Sequence, residues 1–175
     1  MNIKKLTAIA ALGLLTCAAS AQAANDNVYA ELGYTATKYS GVGAEWTPAA
    51  LRGVFGSDLH ENYAVEAVLL LGLDDFSRLG VTIKAESGAA VYIKPKAKLG
   101  TNVDVFGRIG WASINSQVRS SFGGTTDTRD SGLSYGLGAA ISINKTMSVN
   151  VDYMLYNEDN GAKIDGITVG LGYKF

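Results

Sequence analysis

Glu31, Glu66, Asp104 and Asp152 fall on one face of alternating segments, and Arg52, Lys94, Lys96, Lys98 and Arg108 fall on the same face. Charges of both signs that share a face can neutralise and hydrogen-bond one another. Where that face is enclosed they must, because an unpaired charge in a narrow interior is very costly. Glu31, Arg52, Glu66, Lys94, Lys96, Asp104, Arg108 and Asp152 are therefore expected to form a salt-bridged plug. Other reactive chemistry is thin. His60 is the sole histidine and Cys17, near the N-terminus, the sole cysteine. No catalytic, cofactor-binding or metal-ligating set is expected, and no enzymatic activity.

The elements that place these charges are strands. A period of two runs through eight segments: Val28–Ala36, Leu51–Gly56, Tyr63–Leu71, Leu79–Leu99, Val103–Trp111, Leu133–Ile143, Met147–Tyr156 and Ile167–Phe175. One face carries large apolar groups, among them Leu69, Leu137, Val151 and Leu155. The other carries the charges and small residues. Nothing reads as an amphipathic helix. Glycine is abundant (21) and proline scarce (2), and glycine-rich turns between short alternating runs are the pattern of an all-β chain. Short turns are expected near Ser57–Asn62, Gly100–Asn102 and Asn144–Thr146, and longer loops near Lys38–Thr47, Gly72–Arg78, Asn115–Ser131 and Asn157–Gly166. Pro95 would remove a ladder hydrogen bond from a closed sheet, so a bulge is expected there.

The N-terminus reads as a targeting segment. Lys4 and Lys5 precede an apolar run, Leu6 to Ala19, and Ala21-Gln22-Ala23 supplies a small-x-small cleavage site. The run is short of the ~20 residues that cross a bilayer as a helix. Residues 1–23 are therefore expected to be a cleaved signal peptide, with 24–175 as one domain. Leu14-Leu15-Thr16-Cys17 fits a lipoprotein box poorly. The formal net charge of −1 argues against a nucleic-acid partner.

Alternation alone does not say which face is inside. The polar face holds Gly33, Gly56, Gly110, Gly136, Gly138, Ala140, Ser142, Gly170 and Gly172. A water-facing surface has no need of such small groups, whereas the interior of an eight-stranded barrel barely has room for side chains. Aromatics on the apolar face sit near strand ends: Tyr34, Trp111, Tyr135 and Tyr153 at one rim, Phe55 and Tyr63 at the other. Those are the interfacial girdles of a membrane barrel. The expected fold is an all-β, eight-stranded antiparallel up-and-down transmembrane β-barrel. Short turns and both termini would face the periplasm, and the long loops would be extracellular.

Thr168, Gly170, Tyr173 and Phe175 match the C-terminal signal by which outer-membrane barrels are recognised and inserted. With Ala64-Val65-Glu66-Ala67 and Tyr135-Gly136-Leu137-Gly138, they make the chain resemble the small OmpA/OmpX-type barrels of Gram-negative outer membranes. That resemblance covers essentially the whole mature chain. It implies a monomer in contact with outer-membrane lipids, including lipopolysaccharide, and with the barrel-insertion machinery. The role it implies is structural or surface interaction: envelope integrity, adhesion or resistance to host defences. A narrow pore for small solutes or ions is the alternative, with the inward charges as a gated leak. It is disfavoured because about eight strands leave no aqueous channel. No peptidoglycan-binding domain is expected after the barrel.

The remaining candidates are weaker. His60 falls in a turn at the end opposite to where a barrel hydrolase would keep its histidine. Gly136, Gly138, Gly170 and Gly172 open no helix, so they are not a phosphate loop. Asp74, Asp75, Asp127 and Asp130 read as solvated loop carboxylates rather than sites for cations bridging lipopolysaccharide. Leu79 to Lys98 is about twice the length a tilted strand needs to cross a bilayer, and Val105–Trp111 continues into polar Ser113–Ser121. Strands projecting past the membrane could offer an edge to a surface protein partner, with Trp46, Phe76 and Phe122 as contact residues.

Overall fold

Gly100 shows how the short connections are made. Its φ of 111° lies in the left-handed region, which a side chain at this turn would resist. A second tight turn is held by Asn144, whose Oδ1 accepts from the Thr146 and Met147 amides at 2.9 and 2.8 Å. The computed structural model describes residues 27–41, 44–73, 75–78, 81–120, 124–159 and 162–175. The proposed signal peptide, with Cys17, Ala21 and Ala23, lies outside the described residues, as do Asp74 and Phe122.

The strands are β1 (Val28–Gly41), β2 (Ala44–Trp46), β3 (Ala49–His60), β4 (Tyr63–Gly72), β5 (Asp75–Arg78), β6 (Val81–Lys98), β7 (Val103–Ser120), β8 (Gly124–Ser142), β9 (Met147–Asp159) and β10 (Ala162–Lys174). Eight of them follow one another around the sheet in the order β10-β9-β8-β7-β6-β4-β3-β1. β1 then pairs back to β10, from Tyr29 opposite Lys174 to Ser40 opposite Lys163. The sheet is thereby closed, and every pairing is antiparallel. β2 is a short addition to β1, and β5 to β6.

Burial alternates as the sequence period requires, with the apolar face outward. Leu137 is 74% exposed while Arg108 is 2% exposed. Leu69 and Val151 are likewise exposed. The small inward residues make room for large neighbours: Gly56 lies under the Tyr29 ring, and a Cβ at Gly138 would stand 2.5 Å from Phe106 Cζ.

Three expectations need correction. The period of two points Leu155 outward, but it is buried. The register between β9 and β10 shifts at Ile164/Asp165, so Leu155 and Tyr156 are both drawn inside. No bulge occurs at Pro95. β6 and β7 keep one register from Ile93 opposite Ile109 to Lys96 opposite Phe106, and β6 shifts instead at Ala85/Ser87. Pro95 faces outward, and a Cβ on neighbouring Gly107 would still be 3.6 Å from its Cγ, so the ring fits without an extra residue. Finally, the expected loops Asn115–Ser131 and Asn157–Gly166 are mostly ladder: β7 and β8 stay paired to Ser120 opposite Gly124, and β9 and β10 to Asp159 opposite Ala162. Val118 and Phe122 are the only large apolar residues between Asn115 and Ser131, so no alternation announces a strand there.

Candidate functional site

Six of the inward charges meet in one layer across the barrel. Arg108, on β7, reaches three carboxylates. Its guanidinium donates to Asp152 Oδ2 at 2.7 Å, to Glu31 Oε2 at 2.8 Å and to Glu66 Oε1 at 3.1 Å, with a further bond from Nε to Glu66. Arg52 from β3 clasps Asp152 from β9 through two nitrogens, one of them at 2.7 Å. Lys94 from β6 lies 2.9 Å from Glu31 and 2.8 Å from Glu66. Three carboxylates thus face three cations, and all six side chains are buried. The layer is neutral, as enclosure demands.

Aromatic groups complete it. The Tyr29 hydroxyl donates to Glu66 Oε1 at 2.7 Å. Lys94 Nζ sits 4.4 Å from the Phe106 ring centroid and Arg108 Cζ 4.6 Å from it. Sequence reasoning missed both rings, although Tyr29 shares the inward phase of Glu31, and Phe106 that of Arg108. The available signal was the glycine on a neighbouring strand, Gly56 for Tyr29 and Gly138 for Phe106.

Lys96 and Asp104 do not join this layer. Lys96 pairs with Asp58 at 2.6 Å, and Lys174 pairs with the same carboxylate at 3.2 Å. Asp104 stands on the wall of an open vestibule of about 400 Å³, which ends on Glu31 and Lys94. Asp104 makes no ion pair among the described residues, and its cross-strand neighbour is Lys98.

On the other side of the charge layer the interior turns apolar. Val54, Val68, Leu70, Tyr92, Ile114, Met154 and Tyr156 form one buried cluster. Within it the Tyr92 hydroxyl donates to Ser134 Oγ at 2.8 Å, and Ser134 in turn donates to the Leu155 carbonyl at 2.7 Å. This packed layer fills the interior beyond the charges.

Chemically, each carboxylate of the layer is already bound by a guanidinium or ammonium, so none is offered as a base. His60 is exposed and contacts Asn62 and Tyr63 at the short-turn end. Among the described residues no group of His, Cys, Asp and Glu could hold a metal ion.

The girdle residues Tyr34, Trp111, Tyr135, Tyr153 and Tyr63 are outward and exposed, and Phe55 is half-buried. Tyr153 also reaches past the rim, donating to Asp165 Oδ2 at 2.9 Å. Of the C-terminal set, Thr168 is buried against Thr35, their hydroxyls 2.8 Å apart. Gly170 lies opposite Gly33 across the closing seam, and Tyr173 meets Phe175 edge-on at 5.2 Å. Side chains of Trp46, Phe76 and Asp127 lie outside the described residues, although their backbones belong to β2, β5 and β8.

A closed antiparallel barrel with a neutral filled interior and an apolar exterior defines an integral outer-membrane protein. The chain belongs to the outer membrane protein beta-barrel domain family, whose model matches residues 7–175. Membership implies the Gram-negative outer membrane. Solved structures share the fold at low identity. Ail, the attachment invasion locus protein of Yersinia pestis, is similar at 16% identity with a TM-score of 0.69, over 85% of this chain and 98% of that one. Neisserial surface protein A is similar at 12% identity and a TM-score of 0.66, over 85% and 97%. OprG from Pseudomonas aeruginosa is similar at 17% identity and a TM-score of 0.60, over 85% and 96%. No curated protein sequence matches the chain.

Proposed function

We propose that this barrel does not conduct and acts at the cell surface, in envelope integrity, adhesion or resistance to host defences. The observation that carries the reading is a raised sheet. β5, β6, β7 and β8 remain paired to one another well beyond the girdles, through Arg78 opposite Val81 and Ser120 opposite Gly124. β9 joins β8 only from Tyr135 onward. Backbone positions 124–133 therefore present an edge with no ladder partner among the described residues. An exposed edge of this length is a template for strand addition by a surface protein.

Orientation follows the connections. The tight turns and both barrel termini share one end, read as periplasmic, and the raised sheet stands at the other, read as extracellular. In this reading the protein is a non-enzymatic monomer, surrounded by lipopolysaccharide and inserted through Thr168, Gly170, Tyr173 and Phe175. Against a pore stand the charge layer and the apolar layer in series.

The test replaces residues 116–128 with a short glycine–serine turn and compares cells that carry no barrel, the whole barrel or the trimmed barrel. Whole-barrel cells should adhere to host cells or resist serum, and trimmed-barrel cells should lose the effect while the barrel still folds. Equal behaviour of barrel-free and whole-barrel cells overturns the surface role. Conductance steps from the wild-type protein in planar bilayers overturn the closed lumen.

A further inference from the structure

We infer that the vestibule at the short-turn end binds the carboxylate end of a short peptide, seated between Asn150 and the lysines of β6. That the peptide arrives from the periplasm rests on the orientation proposed above, whereas the site itself does not. The vestibule holds about 400 Å³, within the range of small-ligand pockets. Its two sides differ. β6 lines one of them with three successive inward lysines, Lys94, Lys96 and Lys98. β10 stands four strands from β6 around the ring, so β10 and its neighbour β9 form the far wall. That wall is built of small or uncharged groups, Ser148, Asn150 and Gly172, with Ala140 and Ser142 of β8 beside them. The small wall is what keeps the vestibule open.

Groups on both walls lack partners. Asn150 is 2% exposed, and its Oδ1 accepts from Ser148 Oγ at 3.2 Å, but its Nδ2 meets no acceptor among the described residues. A buried donor left unmade is costly, and native folds seldom keep one without a use. Gly172 leaves this donor uncovered, since a Cβ there would stand 3.1 Å from Nδ2. Across the lumen, Lys96 and Lys174 share the single carboxylate of Asp58. Outside the neutral layer the vestibule sets Lys96, Lys98, Lys145 and Lys174 against Asp58, Glu61 and Asp104, four cations to three anions. One added negative charge balances it. Asp104 narrows the choice of anion. It is half-buried on β7, between the two walls, and although it lies opposite Lys98 in register the two form no ion pair. A bare carboxylate would leave this acceptor unused, whereas a peptide brings amide or ammonium donors to it. An anion with a donor a few bonds away describes the last residue of a peptide chain.

The experiment titrates dialanine into the whole processed barrel in detergent micelles and follows the backbone amide shifts of Ser148 and Gly172. A few contacts in an open site give a dissociation constant on the order of 1 mM. Dialanine amide, which lacks the carboxylate, should bind the wild type about tenfold more weakly, and dialanine should bind Asn150→Leu and Lys98→Gln with the same loss. Asp104→Asn should weaken dialanine and leave acetate no weaker. Ala139→Leu, an outward change, should match the wild type. Asn150→Leu should not lower the urea midpoint, because an unpartnered amide donor does not stabilise the fold. A lowered midpoint with dialanine binding unchanged assigns Asn150 to the fold and overturns the site. No saturable shift well above that concentration overturns it too, as does equal binding of dialanine and its amide. Acetate binding as tightly as dialanine leaves an adventitious anion only and overturns the peptide. The side of entry is read separately, by labelling Thr101→Cys with a membrane-impermeant maleimide. Label only after the outer membrane is opened supports entry from the periplasm. Label on intact cells overturns the orientation and leaves the binding result standing.

Discussion

Replacing Arg108 with Met tests the charge layer most directly. The thioether keeps the length and the contact with the Phe106 ring but removes bonds to Glu31, Glu66 and Asp152 together. Three carboxylates would then face Arg52 and Lys94 alone, leaving one uncompensated buried negative charge. Removing one partner of a buried ion pair costs about 3–5 kcal/mol. A Coulomb estimate agrees, since each 4 Å contact is worth about 4 kcal/mol at an effective dielectric of 20. Against a total stability of about 5–15 kcal/mol, the variant should still fold. With a urea slope of about 2 kcal/mol per M, its midpoint should fall by about 2 M. Unfolding in lipid vesicles, followed by heat-modifiable gel mobility, measures this. Adding Glu66→Gln restores two cations against two carboxylates, and the double variant should regain about 1–2 kcal/mol. A cost below about 1 kcal/mol for Arg108→Met, or strict additivity in the double variant, refutes the neutral-layer argument. Conductance should stay at baseline in both, because the apolar layer beyond is untouched.

Gly138→Val should destabilise by about 1–3 kcal/mol through collision with Phe106, and Phe106→Ala in the same chain should restore part of it, measured by the same urea titration. Leu137→Arg, harmless at so exposed a site in water, should cost about 2–4 kcal/mol if the site lies near the bilayer midplane; an unchanged midpoint would speak against a lipid-facing surface. Burial, aided by the nearby Asp130 charge, pushes the Tyr39 hydroxyl up to about 12 from the usual 10. The folded state then keeps a proton that the unfolded state releases, so stability present below pH 10 is lost as pH rises toward 12. Tyr39→Phe should reduce that slope by up to about one proton, read from urea midpoints across the range. N-terminal sequencing of the processed chain should begin at Ala24, or one residue later.

The barrel was legible because its exterior and interior impose opposite demands at every second residue. Leu137 and Gly138 illustrate it: one must be greasy for lipid, the other must vanish beneath Phe106. Phase alone placed eight charges in the expected plug, and six of them meet in one layer. Phase does not encode height along the barrel, however, so Lys96 and Asp104 were indistinguishable from Lys94 and Arg108. Only the register shows that they stand nearer the open mouth, where Lys96 takes Asp58 as its partner and Asp104 lies across from Lys98. Leu155 failed for a related reason. One inserted residue in β9 inverts the face assignment, and a bulge leaves no composition signal. The raised sheet was legible from the length of Leu79–Lys98, whereas the return strand within Asn115–Ser131 read as a loop because it is held by backbone pairing rather than by a buried face. The apolar layer could have been suspected from Val54, Val68 and Leu70, which share the phase of Arg52 and Glu66.

The seam between β1 and β10 joins the first barrel strand to be synthesised to the last, down to the Phe175 amide donating to the Val28 carbonyl at 3.0 Å. No fragment of the polypeptide is able to finish its own perimeter. Until the final residues arrive, every intermediate carries two long adhesive borders at once. Protection of both borders until they meet is therefore a demand written into the topology itself.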